Sequence, residues 1–248
     1  MSEAAPARPH GGERPDLSVV IPAYNEERRL PPSLRRIEAY LRQSKRHSEL
    51  IVVDDGSTDG TAEAVDTLIS EGLHLHMIRH GENKGKGAAV RTGILSATGR
   101  LVLFTDADLS TPIEDLERLV DALDAGADVA IGSRAVDRSL IEVRQPFHRE
   151  TMGRIFNVIV QAVLLPGLKD TQCGFKAFRA EAARELFRDM IATGFDFDPE
   201  ILYRARRRGM KIAEVAVRWR NNPESRVSAL RDSAGMFVSL FKVRRRAR

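Results

Sequence analysis

The chain has 248 residues, 42% of them hydrophobic and 30% charged, with a single cysteine, Cys173. This suits one large soluble domain or two small ones, and excludes a wholly disordered chain, a collagen, a coiled coil, an internal disulfide framework and a cysteine-based zinc cluster. The net charge of +4 is local: the last seven residues hold five basic side chains and no acid, leaving 34 basic against 35 acidic residues elsewhere.

Residues 1–16, rich in Ala, Pro, Gly and charge, read as a disordered lead-in that lacks the apolar core of a secretory signal. Leu17 to Pro22 is a short β-branched run ended by proline, the pattern of a buried strand. Leu30, Leu34, Ile37 and Leu41 recur at helical spacing. Leu50 to Val53 reads as a second buried strand, ended by Asp54-Asp55-Gly56-Ser57, and a helix follows with Ala62, Val65, Leu68 and Ile69 as its apolar side. His76 to Ile78 is a weak third strand, and Gly85-Lys86-Gly87 opens a helix through Val90, Ile94 and Leu95. Leu101 to Thr105 is a fourth strand running directly into Asp106-Ala107-Asp108; Leu116 to Leu123 is a helix and Val129 to Gly132 a fifth strand. The last third reads as helices near Met152 to Leu165, Ala180 to Ile191 and Pro199 to Gly209, a loop at Lys169 to Gly174 and a strand near Ile212 to Val217.

Alternating strands and helices imply an α/β domain with a mostly parallel sheet and helices on both faces. Ligands of such sheets sit outside the carboxyl ends of the strands. The polar motifs fall at those ends, after Val53, Thr105 and Ile131.

Asp106 and Asp108 are spaced to converge on one hard cation such as Mg²⁺ or Mn²⁺, which binds one or two carboxylates together with phosphate oxygens. The same two residues can instead cap the helix that follows. Asp55 can accept from a base N–H or a ribose hydroxyl, or serve a turn. Tyr24, in Pro22-Ala23-Tyr24-Asn25-Glu26, offers a face for a nucleobase or seals the sheet edge. Lys86 lies before a helix N-terminus, where anions are favoured. No Walker A spacing and no G-x-G-x-x-G after the first strand are present. Arg134, Arg138, Arg144 and Arg149 are candidate phosphate contacts, while Cys173, with no histidine or second cysteine nearby in sequence, reads as packing.

The runs VVIPAYNE, VVDDGSTDGT, NKGKGAAVRTGI, LFTDADLSTP and IGSR, in this order, resemble the inverting family 2 glycosyltransferases of the GT-A fold. The later runs DTQCGFKAFRAEAA and FDFDPEILYRARRRGMKIAEVAVRW, with Ser225-Arg226-Val227, are similar to dolichyl-phosphate β-glucosyltransferases. The resemblance implies a domain over 17–227, with a nucleotide-sugar half over 17–133 and an acceptor half over 134–227. It implies a nucleotide pocket lined by Pro22, Tyr24, Glu26, Asp55, Lys86 and Ala107, with Asp106 and Asp108 holding the metal and diphosphate. Arg134 and Arg149 would meet an acceptor phosphate, and Asp170 would lie near the reaction centre.

The activity implied is transfer of a hexose, glucose from UDP-glucose in the first instance, to a polyprenyl phosphate with inversion. The alternatives are mannose from GDP-mannose, or a soluble sugar acceptor whose hydroxyl would need a base such as Asp170 or Asp198. The longest apolar stretch, Ile155 to Leu168, is interrupted by Asn157, Gln161 and Pro166, so no spanning helix is expected. Residues 228–248 form an amphipathic, basic tail with Met236, Phe237, Leu240 and Phe241 on one helical side. That pattern suits peripheral attachment at an anionic, cytoplasm-facing membrane surface. A nucleic-acid partner is not expected, because the chain is net negative outside the tail and poor in aromatics.

Overall fold

A computed structural model describes residues 13–143, 145 and 147–221, except for the side chains of residues 147–149, 152 and 156. The tail 228–248, the Ser225-Arg226-Val227 element, Arg144 and the side chain of Arg149 lie outside the described residues.

The strands are β1 (Leu17–Ala23), β2 (Ser48–Asp54), β3 (His76–Arg79), β4 (Leu101–Thr105), β5 (Val129–Ser133), β6 (Ile141–Val143), β7 (Phe175–Arg179), β8 (Ile212–Ala216) and β9 (Trp219–Arg220). The helices are α1 (Leu30–Gln43), α2 (Thr61–Ser70), α3 (Lys86–Ser96), α4 (Leu116–Asp124), α5 (Phe147–Val163), α6 (Ala180–Arg188) and α7 (Phe197–Arg207). Seven strands form one sheet in the order β3-β2-β1-β4-β7-β5-β8, and β6 pairs with β9 in a small second ladder.

β1 is apolar and buried along its whole length, as expected of a strand covered on both faces. Its Ala23 pairs with Asp54 of β2, and Val20 pairs with Phe104 of β4. β1 and β2 therefore stop level and β4 two positions earlier, so the polar runs after them share one edge. Helices cover both faces. Leu30, Leu34 and Ile37 of α1 and Leu116, Leu119 and Leu123 of α4 pack on one face. Val90 and Ile94 of α3, Leu186 of α6 and Ile201 of α7 pack on the other. Ile69 and Leu95, expected on the apolar sides of their helices, are exposed at the rims instead.

Three features depart from the sequence expectation. First, Phe175–Arg179, unassigned between the expected loop at 169–174 and the helix expected from Ala180, form strand β7. It enters antiparallel between β4 and β5, pairing Phe175 with Thr105 and Lys176 with Ile131. A five-residue run that includes Lys176 and Arg179 carries little strand signal, because its burial comes from neighbours distant in sequence. Second, the β6–β9 ladder was not anticipated, since such short strands show no periodicity. Third, the end of the lead-in is tied down. The Arg14 side chain donates to the carbonyls of Thr98 and Gly99, and the Leu101 amide donates to the Asp16 carbonyl.

Candidate active site

The loops after β1 and β2 are built as one unit. Asn25, with φ +55°, accepts at its side-chain oxygen from the amides of Thr58 (2.8 Å) and Asp59 (3.3 Å). The Asn25 amide donates to Ser57 Oγ and the Glu26 amide to Thr61 Oγ1. Asp54 closes a turn by accepting from the Ser57 amide at 3.0 Å. This lacing holds Tyr24, 41% exposed, at the mouth of a cavity of about 410 Å³. Pro22, Tyr24, Glu26, Asp55, Lys86, Asp106, Ala107 and Asp108 all line that cavity.

Asp55 is committed to the scaffold. Its Oδ1 accepts from the Lys84 amide (3.0 Å) and meets His80 Nδ1 (2.6 Å), and its Oδ2 accepts from the Gly85 amide (2.8 Å). The carboxylate thus pins the 83–85 loop that shapes the cavity floor. Gly85 has φ +98°, and a Cβ there would overlap the Thr193 carbonyl, so no other residue fits. Glu26 is held by Arg29 through two bonds, Nε to Oε2 (2.7 Å) and Nη2 to Oε1 (2.5 Å).

β4 delivers Asp106 and Asp108 to the same edge. Ala107 between them is buried against the hydrophobic cluster. The Asp106 amide donates to the Gly174 carbonyl (3.1 Å), and a Cβ on Gly174 would collide with the Asp106 carboxylate. The antiparallel entry of β7 is what brings Gly174 there. Asp108 Oδ1 accepts from the Ser110 amide at 3.0 Å; burial and the neighbouring Asp106 charge push its pKa up. Lys86 Nζ lies 2.7 Å from Asp106 Oδ1, yet that buried oxygen has no aligned hydrogen-bond donor among the described residues.

A buried carboxylate oxygen that wants more positive charge, beside a second carboxylate with a raised pKa, fits a hard divalent cation. No group of three or more His, Cys, Asp or Glu side chains converges among the described residues. Asp106 and Asp108 would hold such a cation, with phosphate oxygens and water as its other typical ligands.

A second polar cluster is built on the β5 end and the 169–174 loop. Arg134 grips Asp170 with Nε on Oδ2 (2.6 Å), Nη2 on Oδ1 (2.8 Å) and its own amide on Oδ2 (3.0 Å). The Gln172 amide adds a bond to Oδ1, and the Trp219 ring lies 5.5 Å from the guanidinium carbon. Burial alone would raise the Asp170 pKa, but Arg134 outweighs it and brings the group down to about 2. Glu214 completes the frame by accepting from the Asp170 amide (2.7 Å) and Ser133 Oγ (2.7 Å). Nη1 of Arg134 makes no hydrogen bond among the described residues.

Sequence reasoning missed several members of the site. Gly194 and Phe195 line the cavity, Arg29 holds Glu26, and Glu214 supports the acceptor loop. Lys176, fully buried, donates to the Cys173 carbonyl (2.5 Å) and to Asp198 Oδ1 (2.6 Å) behind the site. A lysine with no exposure in a strand next to the acidic motif is a signal, but one visible only after β7 is placed. Cys173 is buried, and its thiol is pushed up to about 11 by burial and by the Asp170 charge.

Residues 18–187 match the family model described as glycosyl transferase family 2. The chain is 36% identical over 241 residues to a dolichyl-phosphate β-glucosyltransferase of Dictyostelium discoideum, covering 92% of this chain and 73% of the relative. It is 38% identical over 242 residues to the Drosophila melanogaster protein of the same name, covering 92% and 74%. Among solved structures it resembles glucosyl-3-phosphoglycerate synthase from Mycobacterium tuberculosis in complex with uridine diphosphate. There the TM-score is 0.66 at 22% identity, covering 96% of this chain and 84% of that one. A mannosyltransferase from Pyrobaculum calidifontis in complex with GDP-Man and Mn²⁺ superposes with a TM-score of 0.62 at 24% identity, covering 98% and 68%.

Proposed function

The chain belongs to glycosyl transferase family 2, and on that premise we propose that it moves glucose from UDP-glucose to dolichyl or another polyprenyl phosphate, giving a β-linked product. The relatives at 36% and 38% identity are named dolichyl-phosphate β-glucosyltransferases, which supports glucose and a dolichyl phosphate acceptor. The observation that carries the acceptor is the state of Asp170. A carboxylate held at about 2 and bonded at both oxygens is a poor general base. Asp198, the other candidate base, is buried and locked to Lys176. A sugar hydroxyl needs a base, whereas a phosphate acceptor is already ionised at neutral pH.

In this reading the nucleotide base lies against Tyr24, and the diphosphate reaches Asp106 and Asp108. A divalent cation, Mg²⁺ or Mn²⁺, bound there neutralises charge on the leaving diphosphate. Arg134, oriented by Asp170 and Trp219, offers Nη1 to the acceptor phosphate, and Arg149 lies outside the described side chains. In-line attack on an α-linked donor inverts the anomeric centre. Positioning and charge stabilisation supply the rate.

No helix among the described residues is long and apolar enough to cross a membrane. Access to a lipid acceptor is therefore assigned, as part of the proposal, to peripheral attachment through the basic tail. The test is a donor screen with radiolabelled UDP-glucose and GDP-mannose against dolichyl phosphate. Label from UDP-glucose should enter the organic phase. Label from GDP-mannose alone would overturn the donor, and label confined to water-soluble products would overturn the acceptor.

A further inference from the structure

Lys86 occupies an electrostatically awkward place. It is the first residue of α3, whose first turn holds no acid, and a cation is disfavoured at a helix N-terminus. Something else must hold it. Its ammonium lies 5.5 Å from the Phe104 ring centre and 5.4 Å from that of Phe195, so aromatic faces bound the slot. Asp106 Oδ1 stands at one end of the slot, 2.7 Å away, without aligned hydrogen-bond geometry. Phe197, the first residue of α7, packs edge-on against Phe104 at 5.6 Å and carries Asp198 to the same neighbourhood.

Burial lowers the Lys86 pKa, but the neighbouring carboxylates, Asp106 first, outweigh that and hold the ammonium above its ordinary value. Lys86 is thus paired with the carboxylate that a metal would claim.

We propose that Lys86 is the resident counter-cation of Asp106 and that a divalent metal displaces it. The proposal rests on the metal reading given above. In this scheme the site never holds an uncompensated Asp106, and the metal does not have to coexist with an ammonium on the same oxygen. Lys86 is a positioning residue, which acts through Asp106.

The test is Mn²⁺ binding to the full chain, read from the loss of the free-Mn²⁺ paramagnetic resonance signal. Without nucleotide, Lys86→Met and Lys86→Gln should each bind Mn²⁺ about five- to tenfold more tightly than the parent protein, the usual size of coupling between groups in contact. Thermal melts confirm that each variant is folded, and the glutamine variant guards against a packing effect of methionine.

If Lys86→Met and Lys86→Gln bind no more tightly than the parent, the exchange is overturned. Asp106→Asn with UDP present isolates the underlying reading. Mn²⁺ bound by the parent but lost in this variant sustains the metal site whatever happens at Lys86. Mn²⁺ bound by neither overturns the metal site and the exchange together.

Discussion

The two ends of the site are finished to different degrees. On the proposed acceptor side, Asp170 has both oxygens bonded, its amide is held by Glu214, and its arginine lies against Trp219. On the proposed donor side, Asp106 meets a lysine without aligned geometry, and Asp108 has a raised pKa. The lesson is that a buried carboxylate whose bonds are complete belongs to the frame, and one whose bonds are incomplete awaits a ligand. An acidic residue near a site is therefore assigned better by counting its donors than by its motif. Asp55 illustrates this: it belongs to the second strand-end motif, yet His80, Lys84 and Gly85 already occupy its oxygens.

The contrast can be broken in order of expected effect. The largest is Asp106→Ala, which should lower glucosyl transfer by about 10²–10³-fold or more, because it removes charge stabilisation at the leaving group. Initial rates across a Mn²⁺ titration check this, and an unchanged rate would remove Asp106 from the donor end. Next, Asp170→Asn should cost about 3–5 kcal/mol of folding stability, since it leaves the Arg134 guanidinium without its anion. Urea unfolding at neutral pH measures it; a loss below about 1 kcal/mol would mean that the pair is not part of the frame.

The same pair fixes a pH window. The folded pKa of Asp170, about 2, lies below its ordinary value of 3.8, so its ionisation contributes stability that is fully present above pH ~4. That contribution, on the order of 2 kcal/mol, is lost as pH falls toward 2. The stability gap between the parent and Asp170→Asn should therefore narrow between pH 4 and 2, followed by thermal melts; a constant gap would refute the linkage. At the donor end, Tyr24→Ala should weaken UDP binding by about 1–3 kcal/mol if the ring stacks on the base, as calorimetry would show. The smallest effect is at Cys173. Buried and with its pKa near 11, it should react with a thiol reagent at pH 8 only as fast as the protein unfolds.

The donor end was legible in the sequence because it is local. Strands β1, β2 and β4 announce themselves by β-branched runs, and each hands its polar residues straight to the shared edge. Tyr24, Asp106 and Asp108, which line the cavity, are legible that way. The acceptor end was less legible because its contacts join residues far apart in the chain. Arg134 pairs with Asp170, 36 positions later, and the Asp170 amide with Glu214, 44 later. Lys176 was passed over because its strand has no alternation to betray it, its burial arising from insertion between β4 and β5. What sequence could not weigh was whether Asp55 and Asp170 were free to act, since that depends on backbone amides placed by the fold.

The insertion of β7 has a consequence for how the molecule comes into being. The strand lies inside the sheet and follows both of its neighbours in the chain by more than 40 residues, since β4 ends at Thr105 and β5 at Ser133. Until residue 179 has left the ribosome, β4 keeps one edge unpaired and β5 has no strand partner, because its other neighbour, β8, begins only at Ile212. Such open edges recruit other chains. The nascent protein must therefore wait with a four-stranded sheet, β3-β2-β1-β4, until Phe175–Arg179 arrives to join β5 to it. The same event sets Gly174 beneath Asp106, so the edge that carries the acidic motif is completed in the step that covers the open side of β4.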